Sequence, residues 1–229
     1  MSRRQIFAKL LLMEIRFLGL SCFQIKGKKA TVVTDPYHSS FGLKLPKASA
    51  DIVTISHDHD DHNFFEAVSG TARRNKPFVI SKPGEYEVAG VSIFGLPSFH
   101  DASKGRERGK NIIYVIEQDG LKLVHLGDLG HFLDDELLEE INGVDILFVP
   151  VGGVYTLNAK QAAEQVNKIH PKITIPMHFK MGKVTLDVAP VDDFLKELGE
   201  EKKQAVDKLI ISYDKLPEEG ETVVLNAKA

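Results

Sequence analysis

Tryptophan is absent from this 229-residue chain and cysteine occurs once, at Cys22. A single cysteine makes no internal disulfide, so stability must come from a packed core, and a thiolate-rich metal site is excluded. No apolar stretch reaches the roughly 20 residues that a membrane-crossing helix requires. A formal net charge of −3 gives no overall attraction to nucleic acid or anionic lipid, so neither is the expected partner. What is present is the balance of an ordinary globule, 43% hydrophobic and 27% charged, in a chain long enough to bury a sizeable core. Near the start, Arg3 and Arg4 precede an apolar run in the manner of a secretion signal, but Lys9 interrupts that run and no small-residue cleavage site follows. Residues 1–12 read as an extension and residues 13–229 as one domain; the expected compartment is the cytoplasm.

Strand-like segments crowd the first half. Glu14–Ile25 alternates apolar and polar residues in places and Ala30–Thr34 is β-branched, with Lys26–Lys29 predicted as the turn of a hairpin between them. Asp51–Ser56 is a further strand, followed by a polar cluster and then by Phe64–Arg74, which has helical character. Later strands are predicted at Phe78–Ser81, Val88–Leu96, Asn111–Gln118, Leu121–Leu126, Asp145–Val149, Ile173–Met177, Lys208–Tyr213 and Glu221–Leu225. Helices are predicted at Asp134–Ile141, Ala159–Ile169 and Val191–Leu198, with a start signal at Thr156 or Asn158. An α/β chain of two sheets packed face to face, with helices covering the outside, accommodates this inventory.

The polar cluster reads His57, Asp58, His59, Asp60, Asp61, His62. Neutral imidazole nitrogen and carboxylate oxygen are the ligands that suit zinc and related first-row divalent ions. Alternate residues of an extended segment project the same way, so His57 and His59 can share one ion. As the loop turns toward a helix, Asp61 and His62 project toward a neighbouring position, where a second ion would sit. Two ions need more ligands than one loop holds, and candidates stand at other strand ends: His100, Asp128 and His178. Each alone has an ordinary reading as a turn former or a hydrogen-bonded core residue. Together with the loop they complete two sites.

Along the chain, in order, stand DPY at Asp35, the His-x-His-x-Asp-His loop, SFHD at His100, GDLGH at Asp128, VGGVYT at Tyr155 and PMHFK at His178. From Glu14 to about Leu225 the sequence resembles the metallo-β-lactamase superfamily, and within it the compact branch of Zn-dependent hydrolases related to ascorbate-6-phosphate lactonase-like proteins. The resemblance implies a four-layer αββα sandwich of two mixed β-sheets flanked by helices. It implies His57, His59 and His100 on one metal, Asp61, His62 and His178 on the other, and Asp128 bridging both. It also implies a bridging water that ionises near neutral pH, oriented by Asp61, and a carbonyl or phosphoryl group polarised by the metals. Asp61 and Asp128 are thereby the expected catalytic residues. Two divalent ions are the expected cofactors, zinc first among metals that include manganese and iron. The expected substrate is a small ester, lactone or thioester, with or without a phosphate group. A phosphodiesterase using the same site is one alternative, and a metal-containing binding or regulatory module without turnover is another. His59 stands where flavodiiron relatives place an acidic ligand, which argues against redox chemistry. Too little chain follows Asp128 for the added domain of RNA-processing members.

Around this set, Arg106 in the basic loop Ser103–Asn111, Lys180, His131 and Tyr155 are candidates for substrate contact. Asp35 is expected behind an imidazole rather than on a metal, because metal-bound histidines donate their other ring nitrogen to such a group. His125 is expected as a core histidine, and Leu137, Leu138, Phe194 and Leu195 as core by their helical spacing.

Overall fold

In a computed structural model, which describes residues 12–228, the first half of the chain is built from short strands. These are β1 (Met13–Gly19), β2 (Cys22–Lys26), β3 (Thr31–Thr34), β4 (Ala48–Ser49), β5 (Ile52–Thr54), β6 (Val68–Ser69) and β7 (Phe78–Ile80). The extension expected at residues 1–12 lies outside the described residues but for Leu12. An antiparallel meander follows, β8 (Gly84–Val88), β9 (Val91–Phe99), β10 (Lys110–Gln118) and β11 (Leu121–His125). Helices and strands then alternate: α1 (Asp135–Glu140), β12 (Ile146–Pro150), α2 (Ala159–Ile169), β13 (Ile173–Met177), α3 (Val191–Glu197), β14 (Leu209–Ile211) and β15 (Glu221–Thr222).

Two mixed sheets result, one six-stranded in the order β14-β1-β2-β3-β5-β7 and one seven-stranded in the order β15-β13-β12-β11-β10-β9-β8. Strand alternation sets what each face buries. On β3, Val32 joins the main core while its neighbour Val33 joins a second cluster with Leu18, Cys22 and Val53. Between the sheets the rings of Phe23 and Phe148 lie 4.4 Å apart, and each such buried side chain contributes roughly 1.5–3 kcal/mol. The hydroxyl of Tyr114 on β10 crosses to the first sheet, 2.9 Å from the carbonyl oxygens of both Ile55 and Ile80.

Helix α2 lies against β12 and packs along α3. Its start is Asn158, whose side chain accepts from the Gln161 N–H while the Gln161 side chain accepts from the Asn158 N–H. Over the outer face of the first sheet there is no α-helix among the described residues. Tyr37, Phe41, Leu43, Leu45, Ala48, Val68 and Val184 cover it from loops and from the small β4-β6 pair.

Three segments differ from the sequence expectation. Phe64–Arg74 is not a helix: a single 3-10 turn at Phe65–Ala67 leads into β6. Its Ser69-Gly70 step ends any helical run, and a Cβ at Gly70 would collide with the Arg74 and Asn75 backbone. Glu14–Ile25 is two antiparallel strands, because Gly19 (φ +121°) and Leu20 (φ +52°) fold the chain back on itself. The strand expected at Val88–Leu96 is interrupted at once by a two-residue turn, Ala89 and Gly90, both at positive φ, which pairs β9 with the unforeseen β8.

Strand direction gathers the polar residues. β3 and β5 are parallel; β9 and β11 each run antiparallel to β10 and so share a direction; β12 and β13 run parallel to β11. The carboxyl ends of these strands form one rim. Asp35 follows β3, the histidine loop follows β5, His100 follows β9, Asp128 follows β11 and His178 follows β13. No helix among the described residues is long and apolar enough to cross a membrane.

Candidate metal centre

The loop after β5 is organised from behind by a buried carboxylate. Asp35 sits in left-handed backbone (φ +38°), a region in which Asp is among the better-tolerated residues. Its Oδ1 accepts from the Ser56 N–H at 2.8 Å, and its Oδ2 accepts from the Ser56 hydroxyl at 2.6 Å and from His62 Nδ1 at 2.9 Å. Having donated to Asp35, the Ser56 hydroxyl oxygen accepts from His57 Nδ1 at 2.9 Å. Both imidazoles therefore carry their proton on Nδ1 and turn Nε2 inward. The Nε2 atoms of His57 and His62 are buried and meet no hydrogen-bond partner among the described residues.

Two donor groups assemble in front. His57, His59 and His100 bring ligand-type atoms within 4.8 Å of one another, and so do Asp61, His62, Asp128 and His178. Asp128 joins the groups: its Oδ2 lies 3.3 Å from Nε2 of His62, of His100 and of His178. Asp61 Oδ2 lies 3.5 Å from His62 Nε2 and 3.7 Å from His178 Nε2. All seven residues expected as ligands are thus within one cluster. His178 reaches it from left-handed backbone (φ +53°), its N–H held by the Leu20 carbonyl at 2.9 Å.

Charge is concentrated here. Burial pushes His57 down to about 2, helped by the neighbouring His62, and burial lowers His59 as well, helped by His100. Those two rings stay neutral, with a free lone pair. Burial also opposes charge on His62, but Asp128 and then Asp61 hold it well above the ordinary imidazole range. Against the same desolvation, His178 and His62 hold Asp128 well below the usual carboxylate range, and His62 does the same for Asp61. The arrangement calls for positive charge at its centre, as protons or as metal cations shared among nitrogen and oxygen donors.

Supporting residues that the sequence did not single out hold the rim in register. Asn111 at the start of β10 accepts at Oδ1 from the Asp128 N–H (3.0 Å) and donates from Nδ2 to Ser98 Oγ (2.8 Å) and the Leu126 carbonyl (2.9 Å). Gly127 approaches so closely, at φ +57°, that a Cβ there would strike Asn111 Oδ1 and lie 2.7 Å from the Ser56 Cβ. Buried Asp101 accepts four backbone N–H groups, from Ser103, Gly105, Glu107 and Arg108, at 2.7–3.1 Å. Despite its desolvation, these donors draw its carboxyl down to about 2.

A cleft of about 490 Å³ opens over the cluster, with His59, Asp61, His100, Asp128 and His178 exposed to it and Phe41, Leu186, Glu107, Arg108 and Tyr155 as walls. Of the expected substrate contacts, Tyr155 lines this cleft. Arg106 does not; its Nε donates to the Ser103 carbonyl at 3.0 Å, and the residues facing the cleft from that loop are Glu107 and Arg108. Lys180 Nζ is engaged by the carbonyls of Val184 (2.7 Å) and Leu186 (2.8 Å). His131 accepts the Phe99 N–H at Nε2 (3.2 Å) and donates from Nδ1 to the Phe132 carbonyl (2.8 Å). Buried His125 lies outside the cluster, donating to the Ser21 carbonyl at 2.9 Å and accepting from the Gly127 N–H at 3.2 Å.

Residues 14–178, which include all seven clustered side chains, match the family model described as the beta-lactamase superfamily domain. The chain belongs to the metallo-β-lactamase superfamily. A UPF0173 metal-dependent hydrolase of Thermococcus onnurineus is 33% identical over 191 residues, covering 73% of this chain and 85% of that relative. Another, from Thermoplasma volcanium, is 32% identical over 204 residues, covering 79% and 88%. Among solved structures, a Thermotoga maritima protein described as a Zn-dependent hydrolase of the metallo-β-lactamase superfamily superposes with a TM-score of 0.76 at 38% identity, covering 94% of this chain and all of that one. This member of the superfamily is a metal-dependent hydrolase, and the His/Asp cluster is its candidate metal site.

Proposed function

We propose that the cluster holds two divalent ions, zinc first among them, and that the enzyme hydrolyses a small ester, lactone or thioester. The observation that carries this reading is Asp128 Oδ2, placed 3.3 Å from imidazole nitrogens belonging to both donor groups and open to the cleft. The donors fit such ions: buried atoms without a hydrogen-bond partner among the described residues at His57 Nε2, His62 Nε2, Asp128 Oδ1 and both nitrogens of His178, all hard or borderline ligands with no thiolate among them. His57, His59 and His100 would hold one ion; Asp61, His62 and His178 the other; Asp128 would serve both. When bound, the ions supply Lewis acidity and an ionised water near neutral pH.

The remaining work falls to the chain. Asp35 and Ser56 fix the ring orientation and tautomer of His62 and His57, so each presents Nε2. Asp61, held ionised and exposed to the cleft, accepts a hydrogen bond from the attacking water and aims its oxygen at the electrophilic carbon. That C–O bond forms, the acyl bond to the leaving oxygen or sulfur breaks, and the proton released by the water ends on the leaving group. Tyr155 offers a phenolic donor from the cleft wall. A cleft of about 490 Å³ suits a small molecule.

The test is elemental mass spectrometry of the purified full chain, combined with turnover of a panel of esters, lactones, thioesters and bis(p-nitrophenyl) phosphate. About two equivalents of metal and turnover of a carboxylic ester are expected. Asp128→Asn should lower the rate by about a hundred-fold or more. Turnover of the phosphodiester alone would overturn the ester assignment.

A further inference from the structure

Arg108 is placed on this rim with unusual care for a loop residue. Its backbone is one of the four N–H donors closed around Asp101, next in sequence to His100. The guanidinium lies 5.8 Å from the centre of the Tyr155 ring, within the range of a cation–π contact. Tyr155 is itself held by a tight turn in which Gly153 (φ +65°) and Val154 (φ +56°) are both left-handed and the Tyr155 N–H returns to the Gly153 carbonyl. A β-branched residue adopts that backbone only where its surroundings impose it, and such strain concentrates at functional sites. Among the described residues, Glu107 is the one acid within ion-pair range of Arg108, at 3.9 Å, and its other carboxylate oxygen already accepts from the Ser103 hydroxyl. The guanidinium donors are therefore largely uncommitted, at the edge of the metal cleft.

Arg108 also marks a junction. A second cavity, of about 660 Å³, opens between the rims of the two sheets, with Pro83, Pro97, Phe99 and Ile112 as apolar walls. His59 and Arg108 line both this cavity and the cleft over the metal cluster. The cleft holds the His/Asp cluster, the second cavity is mostly apolar in surface with Asp58 and Lys110 among its polar residues, and Arg108 stands between them.

We infer that the substrate is an amphipathic anion: a carboxylate or phosphate received by Arg108, an apolar chain laid in the second cavity, and the scissile bond over the His/Asp cluster. This specificity rests on the hydrolase reading above, but it can be measured without turnover. Bidentate recognition of planar or tetrahedral oxyanions is what a guanidinium fork does best.

Calorimetric titration of the metal-loaded full chain with hexanoate, hexylphosphonate, propionate and hexanamide tests it. Hexanoate should bind about ten-fold or more tighter than propionate, reflecting burial of its extra methylenes. Arg108→Gln should weaken both six-carbon anions by about ten-fold or more while changing hexanamide little, and Arg108→Lys should restore part of the loss. Arg106→Gln makes the same charge change in the same loop and should leave every affinity in place. The headgroup that binds tighter identifies the anion as carboxylate or phosphate. Equal weakening by the Arg106 and Arg108 variants, or no dependence on chain length, would overturn the inference. The two readings separate cleanly: Arg108-dependent binding without ester turnover sinks only the ester reading, and ester turnover without Arg108-dependent binding sinks only this one.

Discussion

Replacing Asp35 by Asn tests the organisation of the proposed metal centre without touching a proposed ligand. Three donors converge on this carboxylate: the Ser56 N–H, the Ser56 hydroxyl and His62 Nδ1. An amide has one acceptor oxygen, so its NH₂ stands either at the Oδ2 position, facing His62 Nδ1 and the Ser56 hydroxyl, or at the Oδ1 position, facing the Ser56 N–H. If it faces His62, that ring can accept only by moving its proton from Nδ1 to Nε2, which blocks the lone pair turned toward the cluster. If it faces the Ser56 N–H, two donors oppose each other behind the loop, and the Ser56 backbone must shift and carry His57 with it. Either way a histidine of the cluster is disturbed, His62 through its tautomer or His57 through the loop that carries it. Loss of such an outer partner weakens metal binding about 10- to 100-fold, about 1.4–2.8 kcal/mol. The upper end is expected, because one carboxylate serves two ligands. The backbone should tolerate the change, since Asn accepts the left-handed φ of +38° at this position. One buried donor left unpaired costs a further ~1–3 kcal/mol of folding stability. Chelator competition for zinc reads the first effect, and urea denaturation of metal-free protein reads the second. Zinc affinity within about two-fold of the parent would refute the reasoning.

Other perturbations bear on different parts of the molecule. Gly127→Ala adds a methyl against Asn111 Oδ1 and the Ser56 Cβ at a left-handed position; it should cost about 1–3 kcal/mol in chemical denaturation and lower activity together with stability. Glu14 is held down to about 2 by hydrogen bonds from Arg16 and then Lys208, from an ordinary value of 4.5. A carboxyl depressed in the folded state stabilises above its unfolded pKa and loses that contribution as pH falls toward the folded one. Glu14→Gln should therefore cost at most ~1 kcal/mol at neutral pH, since the group is partly exposed, and the difference from the parent should close between about pH 4.5 and pH 2. Exhaustive chelation should lower Tm by mass action and zinc should restore it; an unchanged Tm, with elemental analysis showing the metal removed, would mean that the ions do not contribute to folding.

What the sequence made legible follows from how each feature is encoded. The ligand loop is contiguous, six residues read directly, and its partners lie just after β-branched or apolar runs whose ends are marked by Gly or Pro, as at Gly127 and Pro176. Turn chemistry explains one success and one miss. Asp119-Gly120, the preferred pair for a two-residue hairpin, separates β10 from β11 where expected, whereas Ala89-Gly90 makes a turn with the same positive φ values at both residues and without the Asn or Asp signature. Phe64–Arg74 misled because its apolar residues repeat at helical intervals while its cover of the first sheet needs only Val68. The choice between Arg106 and Arg108 was illegible for a different reason. Loops have no period, so which side chain meets the cleft is decided by where the backbone is tied, and here the tie is Asp101, whose four N–H contacts no spacing rule announces. Lys180 shows the same logic in reverse. Two residues from His178 it is close enough for substrate in sequence, but carbonyls four and six residues ahead claim its ammonium first. Contiguity and strand ends thus indicate which His and Asp side chains gather in one cluster, while the shape of the cleft above it is written in the hydrogen bonds that hold its loops.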